Sequence, residues 1–178
     1  MPKQTFVSDI KELRRRAREH MEKGAVTPSY SGDLETAVKI LNEALATEIV
    51  CVLRYSYHAT AATGVNSEAV KKEFSEHARE EQEHAASIAE RINQLGGKPN
   101  MNPEGLLTRA HSEYVEGDTL VQMIKENLVA ERIAIESYRE MIKYFGESDP
   151  TSRRLMESIL AKEEEHANDM QDLLRTHA

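Results

Sequence analysis

Two stretches of this chain repeat the same set of side chains that can bind metal ions. Each set has a glutamate, a tyrosine seven residues later, and a Glu-x-x-His motif that begins 33 residues after the first glutamate in one set and 32 in the other. On an α-helix, residues three places apart lie on one face, so each motif offers a carboxylate and an imidazole together. The repeat predicts four carboxylates and two imidazoles around a pair of metal ions. The first set is Glu48, Tyr55, Glu81 and His84, and the second is Glu131, Tyr138, Glu163 and His166.

The repeat is too specific to reflect acidic helix surfaces alone. Of the seven histidines, only His84 and His166 have a glutamate three residues earlier. Of the six tyrosines, only Tyr55 and Tyr138 have a glutamate seven residues earlier. Apolar residues flank the motif positions, which predicts burial, and a buried carboxylate is very costly unless a cation compensates it.

The residue types restrict which metals fit. Glu81 with His84 can bind one ion and Glu163 with His166 the second, while two further glutamates complete the set. Carboxylates and imidazoles favour iron or manganese, and zinc can occupy such sites. We therefore predict two iron ions per chain, with manganese or zinc as alternatives. The two completing glutamates are Glu48 and Glu131.

The roles of the neighbouring side chains are less determined. Tyr55 and Tyr138 either hydrogen-bond a ligand carboxylate or donate an electron during oxygen chemistry, or they are core tyrosines with satisfied hydroxyl groups. His58 and His77 are expected to be core or rim residues rather than ligands. Cys51 is expected to be a buried apolar side chain rather than a redox group, since free cysteines are usually buried.

Apolar residues at helical spacing predict an all-α chain with four long helices. A basic amphipathic helix over Ser8–Lys23 precedes them, within an N-terminal extension of residues 1–30, and the bundle domain covers 31–178. Gly96 to Gly117 forms a long connection with a short helix between Glu104 and Val115. Such a connection predicts a four-helix bundle with a long crossover between its second and third helices. The long helices are expected over residues 33–63, 67–96, 118–145 and 150–178.

Composition limits the remaining classes. A chain of 178 residues suits one domain, and its net charge of −8 disfavours nucleic acid as a partner. We expect the basic N-terminal helix to dock on its own or a neighbouring subunit rather than on DNA. The sequence has neither an apolar run of about 20 residues nor a secretory signal, so we expect no membrane contact and a cytoplasmic location. A single cysteine excludes an intrachain disulfide and a Cys-ligated metal site.

With these residues identified, the chain resembles the bacterioferritins and the Dps-like ferritins that carry a bacterioferritin-type di-iron site. The segment LNEALATEIVCVLRY is similar to the first helix of that family, and the resemblance covers residues 33–175. It implies a ferritin-like fold and a ferroxidase that oxidises Fe(II) with dioxygen or hydrogen peroxide and stores Fe(III) inside a protein shell. It also implies that Glu81 and Glu163 contact or bridge both ions. The metal ligands that it implies are Glu48, Glu81, His84, Glu131, Glu163 and His166.

Three departures from the family pattern matter. Gln82 occupies the position of the methionine that binds haem in bacterioferritins, so haem is not expected. The chain ends soon after His166, and its middle connection has room for a crossover helix, so the resemblance favours a shell of twelve subunits over one of 24. Dps-like proteins with this type of site often carry a cysteine pair, which this chain lacks.

The sequence is also compatible with two other functions. One is a small di-metal enzyme without mineral storage, such as an oxygenase, a rubrerythrin-like peroxidase or a manganese catalase, because a fold and a ligand set do not determine the reaction. The absence of a cysteine cluster argues against a self-contained rubrerythrin, and the small chain leaves little room for an organic substrate. The other is a structural or DNA-associated helical protein, which would require the repeat to be accidental.

Overall fold

The structure, a computed structural model, describes residues 9–64 and 67–177. Within these ranges the chain forms four long and two short α-helices, one turn of 3₁₀-helix at Met21–Lys23, and no strand. Among the residues described, no helix is both long enough and apolar enough to cross a membrane. In chain order the helices are α1 (Ile10–Arg16), α2 (Leu34–Ala61), α3 (Ser67–Gln94), α4 (Leu106–Arg109), α5 (Leu120–Phe145) and α6 (Pro150–His177).

The four long helices form two hairpins that pack into one bundle. α2 packs mainly on α3, and α5 mainly on α6, while α2 also contacts α5 and α3 contacts α6. Tyr138 bonds to Glu48 and Tyr55 bonds to Glu131, so α2 and α5 run in opposite directions. Side-chain pairs between α3 and α6 show the same for those helices. This is the predicted arrangement, in which a long crossover joins the two hairpins.

The core of the bundle has two apolar clusters with a polar layer between them. The charged residues of this polar layer therefore lie near the middle of the four long helices, away from both ends. The larger cluster includes Leu41, Leu45, Ile88, Ile92, Phe145 and Met156. The smaller one includes Tyr55, Phe74, Met123, Ile124 and Met170.

The ends of the long helices follow local sequence signals. The carboxylates of Asp33 and Asp149 accept backbone N–H bonds at the starts of α2 and α6, as capping residues do. α5 begins two residues after the predicted Asp118, because Thr119 provides the cap. α3 ends just before Gly96, which adopts a left-handed φ of 77° that few other residues tolerate.

The crossover lies along α2 and is held there by hydrogen bonds. The predicted short helix is present but only one turn long, and its Leu106 packs against Ala46 and Val50 of α2. Side chains of α2 then bond to the backbone of the crossover at three successive points. These bonds join Thr47 to His111 at 2.9 Å, Arg54 to Glu113 at 2.9 Å and His58 to Glu116 at 2.7 Å.

The N-terminal helix is shorter than predicted. Ser8 lies outside the described residues, and Asp9 caps α1 instead. The helix ends at Arg16 instead of Lys23, and His20 then takes a left-handed φ of 53°, which a helix cannot include. The apolar stripe predicted for this segment stays largely exposed on the single chain, so docking on its own bundle is not observed. Its exposed members are Ile10 at 58%, Leu13 at 52% and Met21 at 74%.

Asp149 joins three parts of the bundle. Its carboxylate is buried and accepts hydrogen bonds from Arg91 of α3 at 2.8 Å and from the Ser152 backbone at 2.9 Å. The Tyr30 hydroxyl, in the loop before α2, donates a third bond at 3.1 Å. Burial raises the pKa of Asp149, but the bonds from Ser152 and the Arg91 charge outweigh it and lower the pKa.

We expect Asp149→Ala to lower the free energy of unfolding by about 3–5 kcal/mol, because it leaves Arg91 buried without its counter-charge. Urea unfolding followed by circular dichroism measures this loss. Asp33→Ala is the matched control, since it removes an exposed cap from α2 without breaking a buried pair, and it should cost clearly less. Equal losses in the two variants would contradict the importance of the buried pair.

Candidate metal centre

The polar layer brings together all eight residues that the repeat singled out. Two come from each long helix, seven residues apart on α2 and α5 and three apart on α3 and α6, so each pair lies on one face. The side chain of His84 is 12% exposed, and the other seven residues are 0–1% exposed. The eight are Glu48, Tyr55, Glu81, His84, Glu131, Tyr138, Glu163 and His166.

Six of these residues form two overlapping groups of metal-ligand atoms. Within each group, the ligand atoms lie within 4.8 Å of one another. Glu81 and Glu163 belong to both groups, so their carboxylates lie between the two positions. The first group is Glu48, Glu81, His84 and Glu163, and the second is Glu81, Glu131, Glu163 and His166.

Both histidines direct Nδ1 towards the centre. Nδ1 of His84 lies 3.1 Å from Oε1 of Glu163 and 3.3 Å from Oε2 of Glu81. Nδ1 of His166 lies 3.3 Å from Oε1 of Glu81. Nε2 of His166 is bonded at 2.7 Å to Glu80, which fixes the ring orientation. A carboxylate that holds the outer nitrogen of a histidine is a common way to orient a metal ligand.

The two tyrosines bond across the bundle. The Tyr55 hydroxyl of α2 donates to Glu131 of α5, and the Tyr138 hydroxyl of α5 donates to Glu48 of α2. Burial, followed by the adjacent carboxylate, raises the pKa of each tyrosine well above its usual value. Both hydroxyl groups therefore keep their protons at neutral pH and act as donors.

Several buried atoms at the centre lack a hydrogen-bond partner. Unpaired buried polar atoms are rare in folded proteins because each carries a desolvation penalty. Here they cluster at one point and are acceptors or histidine nitrogens, which is the arrangement that a bound cation satisfies. Within the described part of the chain they are Oε1 of Glu81, Oε2 of Glu131, both oxygens of Glu163 and Nδ1 of His166. The donor set therefore fits a pair of divalent cations.

Without metal, burial and neighbouring charges shift the pKa values of the carboxylates and histidines at the centre. Burial raises the pKa of Glu131 and, more strongly, those of Glu48 and Glu163. For Glu81, burial also acts upward, but the adjacent His166 and His84 lower its pKa overall. Burial lowers the histidine pKa values, yet the surrounding carboxylates outweigh it and raise that of His84 to about 10. The same balance raises that of His166 to about 9.

A further histidine lies beside the centre, in the core as expected. His77, expected to be a core or rim residue, is buried, stacks on His166 at 3.9 Å between ring centroids, and belongs to a ligand group with Glu131 and His166. Its spacing of four residues from Glu73 and from Glu81 on α3 could have indicated this. Burial, followed by the charge of His166, lowers its pKa to about 3, so the ring is neutral.

Two other expectations can be compared with the structure. Cys51 is buried, as predicted, and its sulfur accepts a hydrogen bond from Arg54 at 3.5 Å. Four glutamates recur at spacings of three or four residues on α3, which predicts either the lining of an iron path or a solvated face, and they do not share one environment. They are Glu73, Glu76, Glu80 and Glu83. Glu80 bonds to His166 and Glu73 lies near His77, whereas the remaining members face solvent. Those solvent-facing members are Glu76 and Glu83.

Comparison with known proteins agrees with this geometry. A family model for the ferritin-like domain matches residues 38–177. The DNA protection during starvation protein of Pyrococcus furiosus is 30% identical over 145 residues, which cover 80% of this chain and 78% of the relative. A bacterioferritin of Desulfovibrio desulfuricans is 27% identical over 130 residues, covering 72% of this chain and 69% of its own.

A solved structure gives the same result. The dodecameric thioferritin of Bacteroides fragilis, described as bacterioferritin-related, superposes with a TM-score of 0.78 at 34% identity, covering 82% of this chain and 88% of its own. The predicted ferritin-like four-helix bundle and the resemblance to bacterioferritins and Dps proteins are confirmed. The chain belongs to the family of proteins with a ferritin-like domain.

Proposed function

We propose that this chain is a ferroxidase that binds two Fe(II) ions at the paired site and oxidises them. The observation that carries the proposal is the pair of overlapping ligand groups that share Glu81 and Glu163 in a buried layer. The shared carboxylates hold the two ions close together, while one glutamate and one histidine bind each ion from the side. Those outer ligands are Glu48 with His84 and Glu131 with His166.

Charge balance supports Fe(II) as the substrate. Four carboxylates carry four negative charges once their protons have left, and two Fe(II) ions carry four positive charges. The loaded site is therefore neutral, which removes the penalty of burying like charges together. Two Fe(III) ions exceed this balance by two charges, which two hydroxide ions derived from water can neutralise, and hydrolysed Fe(III) is the form that a mineral takes up.

A pair of ions also matches the electron requirement of the oxidant. Each Fe(II) gives up one electron. The two electrons and two protons convert dioxygen to hydrogen peroxide, or convert hydrogen peroxide to two molecules of water. The ligands are 0–12% exposed, which suits oxidants of two heavy atoms and disfavours an organic substrate. This burial favours a ferroxidase over an oxygenase on the same fold.

Tyr55 and Tyr138 act in this proposal as positioning residues. Each hydroxyl group keeps its proton and donates a hydrogen bond to the outer glutamate of the opposite hairpin. The bond occupies one oxygen of that glutamate and leaves the other on the side of the metal site. Both tyrosines also lie close enough to the site to be electron donors, a role that stays a prediction from the sequence.

We also propose that the chain assembles into a closed homo-oligomeric shell that stores or detoxifies Fe(III). The thioferritin of Bacteroides fragilis is a dodecamer, and this chain covers 88% of it. Several large apolar side chains of the long helices and the crossover are about half exposed on the single chain, which suits contacts between subunits. They include Leu53, Leu107, Val129 and Tyr144.

DNA is not part of the proposed function, although one relative is named for DNA protection. Two of the three arginines of α1 pair with glutamates of the same segment. Arg15 lies 2.7 Å from Glu12 and also pairs with Glu19, and Arg16 lies 3.6 Å from Glu12. These contacts reduce the positive field that binding to phosphates requires.

Glu81→Gln should reduce the initial rate of Fe(II) oxidation by more than about tenfold, because it removes a charge shared by both ligand groups. The formation of Fe(III), followed by absorbance after mixing with dioxygen or hydrogen peroxide, measures the rate. The matched control is Glu83→Gln, which makes the same change at an exposed position of α3. Equal rates in Glu81→Gln and native protein would remove the site assignment.

Metal binding should release protons. At pH 7 His84 and His166 are protonated in the metal-free chain, since their pKa values are about 10 and about 9, and each must lose a proton to bind metal. We expect at least two protons per chain on loading with Zn(II), and an apparent affinity that rises with pH towards 9. Titration in weak buffer with a pH indicator measures the release. Loading without proton release would contradict these protonation states.

The solution mass tests the shell. Twelve chains of 20.1 kDa form a particle of about 240 kDa, and light scattering distinguishes this from about 480 kDa for 24 chains. We expect the smaller particle. A monomer or dimer would leave no cavity for mineral, and a di-metal enzyme without storage would then be the better interpretation.

A further inference from the structure

A second cluster of ligand-type side chains lies beside the two overlapping ligand groups, called here the buried pair of metal positions. It is found where α3 and α6 pass each other. It consists of Glu73 and His77 of α3 and Asp169 of α6. Nε2 of His77 lies 3.4 Å from Oε1 of Glu73 and 3.5 Å from Oδ2 of Asp169. The side chain of His77 is 2% exposed, whereas those of Glu73 and Asp169 are 36% and 42% exposed. The cluster therefore has carboxylates on its solvent side and an imidazole on its buried side.

Hydrogen bonds on the buried side determine which nitrogen of His77 carries the proton. The single hydroxyl proton of Tyr55 is used in the hydrogen bond that Tyr55 donates to Glu131. The Tyr55 oxygen can then only accept from Nδ1 of His77, 3.1 Å away. A metal ion bound at Nε2 uses the lone pair of that nitrogen and needs the ring proton on Nδ1, which is the position that the contact with Tyr55 favours.

This lone pair faces the wrong partners for hydrogen bonding. Nε2 of His77 is directed at two carboxylate oxygens, which are acceptors as well. Both distances exceed the usual range of about 2.7–3.2 Å for a hydrogen bond from nitrogen to oxygen. Nε2 of His77 and the two carboxylate oxygens therefore converge on one point, and a metal ion placed there would be bound by all three.

We propose that Glu73, His77 and Asp169 bind one divalent cation in addition to the buried pair. Two ligand atoms that are each about 2.1 Å from a metal ion, at a tetrahedral angle, lie about 3.4 Å apart. The observed separations of 3.4 and 3.5 Å match this spacing. One imidazole and two carboxylates suit Fe(II), Mn(II), Co(II) or Zn(II), and three protein ligands leave positions for water.

The position of this outer site suggests what it does. The ring of His77 stacks on His166 with an angle of 20° between the planes, so one imidazole separates the outer cation from the buried pair. The outer site is open to solvent through its two carboxylates, whereas the ligands of the pair are almost fully buried. In this loading role the outer site first binds Fe(II) from solvent, and the ion then passes inwards to the buried pair of metal positions. This role rests on the proposed ferroxidase function, but the binding of a cation does not.

Co(II) binding tests the site without any oxidation of iron. Equilibrium dialysis with metal analysis gives the number of Co(II) ions bound per chain. The test variant is Glu73→Gln with Asp169→Asn. The control is Glu83→Gln with Asp172→Asn, which makes the same charge change at more exposed positions on the same two helices. We expect three ions in the native chain and the control, and two in the test variant.

The difference between the test variant and its control decides the result. One ion fewer in the test variant supports the outer site, and equal numbers in the two variants overturn it. Because the substituted carboxylates are partly exposed and retain their size, we expect both variants to fold, which circular dichroism checks before dialysis.

A further variant separates this proposal from the ferroxidase proposal. Glu81→Gln with Glu163→Gln disables the buried pair and should still bind one Co(II), which is lost when the substitutions of Glu73 and Asp169 are added. If that ion is bound but native protein oxidises no Fe(II), the ferroxidase proposal fails and the outer site stands. If that ion is not bound, the outer site fails whatever the oxidation rate.

The loading role has its own readout. We expect the Glu73→Gln, Asp169→Asn variant to need a severalfold higher Fe(II) concentration for half-maximal oxidation, while the rate at saturating Fe(II) is retained, because the buried ligands are unchanged. An unchanged concentration dependence would overturn the loading role.

Discussion

Four carboxylates at the centre of one bundle repel one another and have lost their hydration, and the fold is arranged around this cost. The polar layer lies between two apolar clusters, so water cannot screen the charges. In the metal-free chain, protons on the histidines and on some of the carboxylates reduce the repulsion. Two divalent cations would remove it more completely, since they would also satisfy the oxygen atoms that lack a partner.

The crossed tyrosines make each half of the site depend on the other. Tyr55 belongs to the first hairpin but fixes Glu131 of the second, and Tyr138 fixes Glu48 in return. A single hairpin therefore cannot set the geometry of its own ligands. The two hairpins must be packed antiparallel and in register before either outer glutamate is oriented. This explains why the repeat conserves the spacing of seven residues from glutamate to tyrosine in both halves of the chain.

The sequence predicted the bundle and the grouping of the eight residues because both follow from helical periodicity. A face repeated every three or four residues determines which side chains point inward, and the Glu-x-x-His spacing determines which are adjacent. It could not predict that the tyrosines bond across hairpins, because that depends on the register between helices. It also predicted a helix as far as Lys23, although His20 takes a left-handed backbone, and it could not place His77 beside Asp169, which is far away in the sequence.

The same helical periodicity places ligand-type residues between the buried metal centre and solvent. Along α3, ligand-type residues continue at intervals of three or four, so one face of the helix carries donor atoms from the surface to the centre. α6 runs antiparallel and supplies Asp169 opposite the outer end of this face and Glu163 opposite its inner end. A cation that moves along this line always has a carboxylate or an imidazole within reach, so it is not fully desolvated without a ligand. The residues at these intervals on α3 are Glu73, His77, Glu81 and His84, and Glu80 lies beside them.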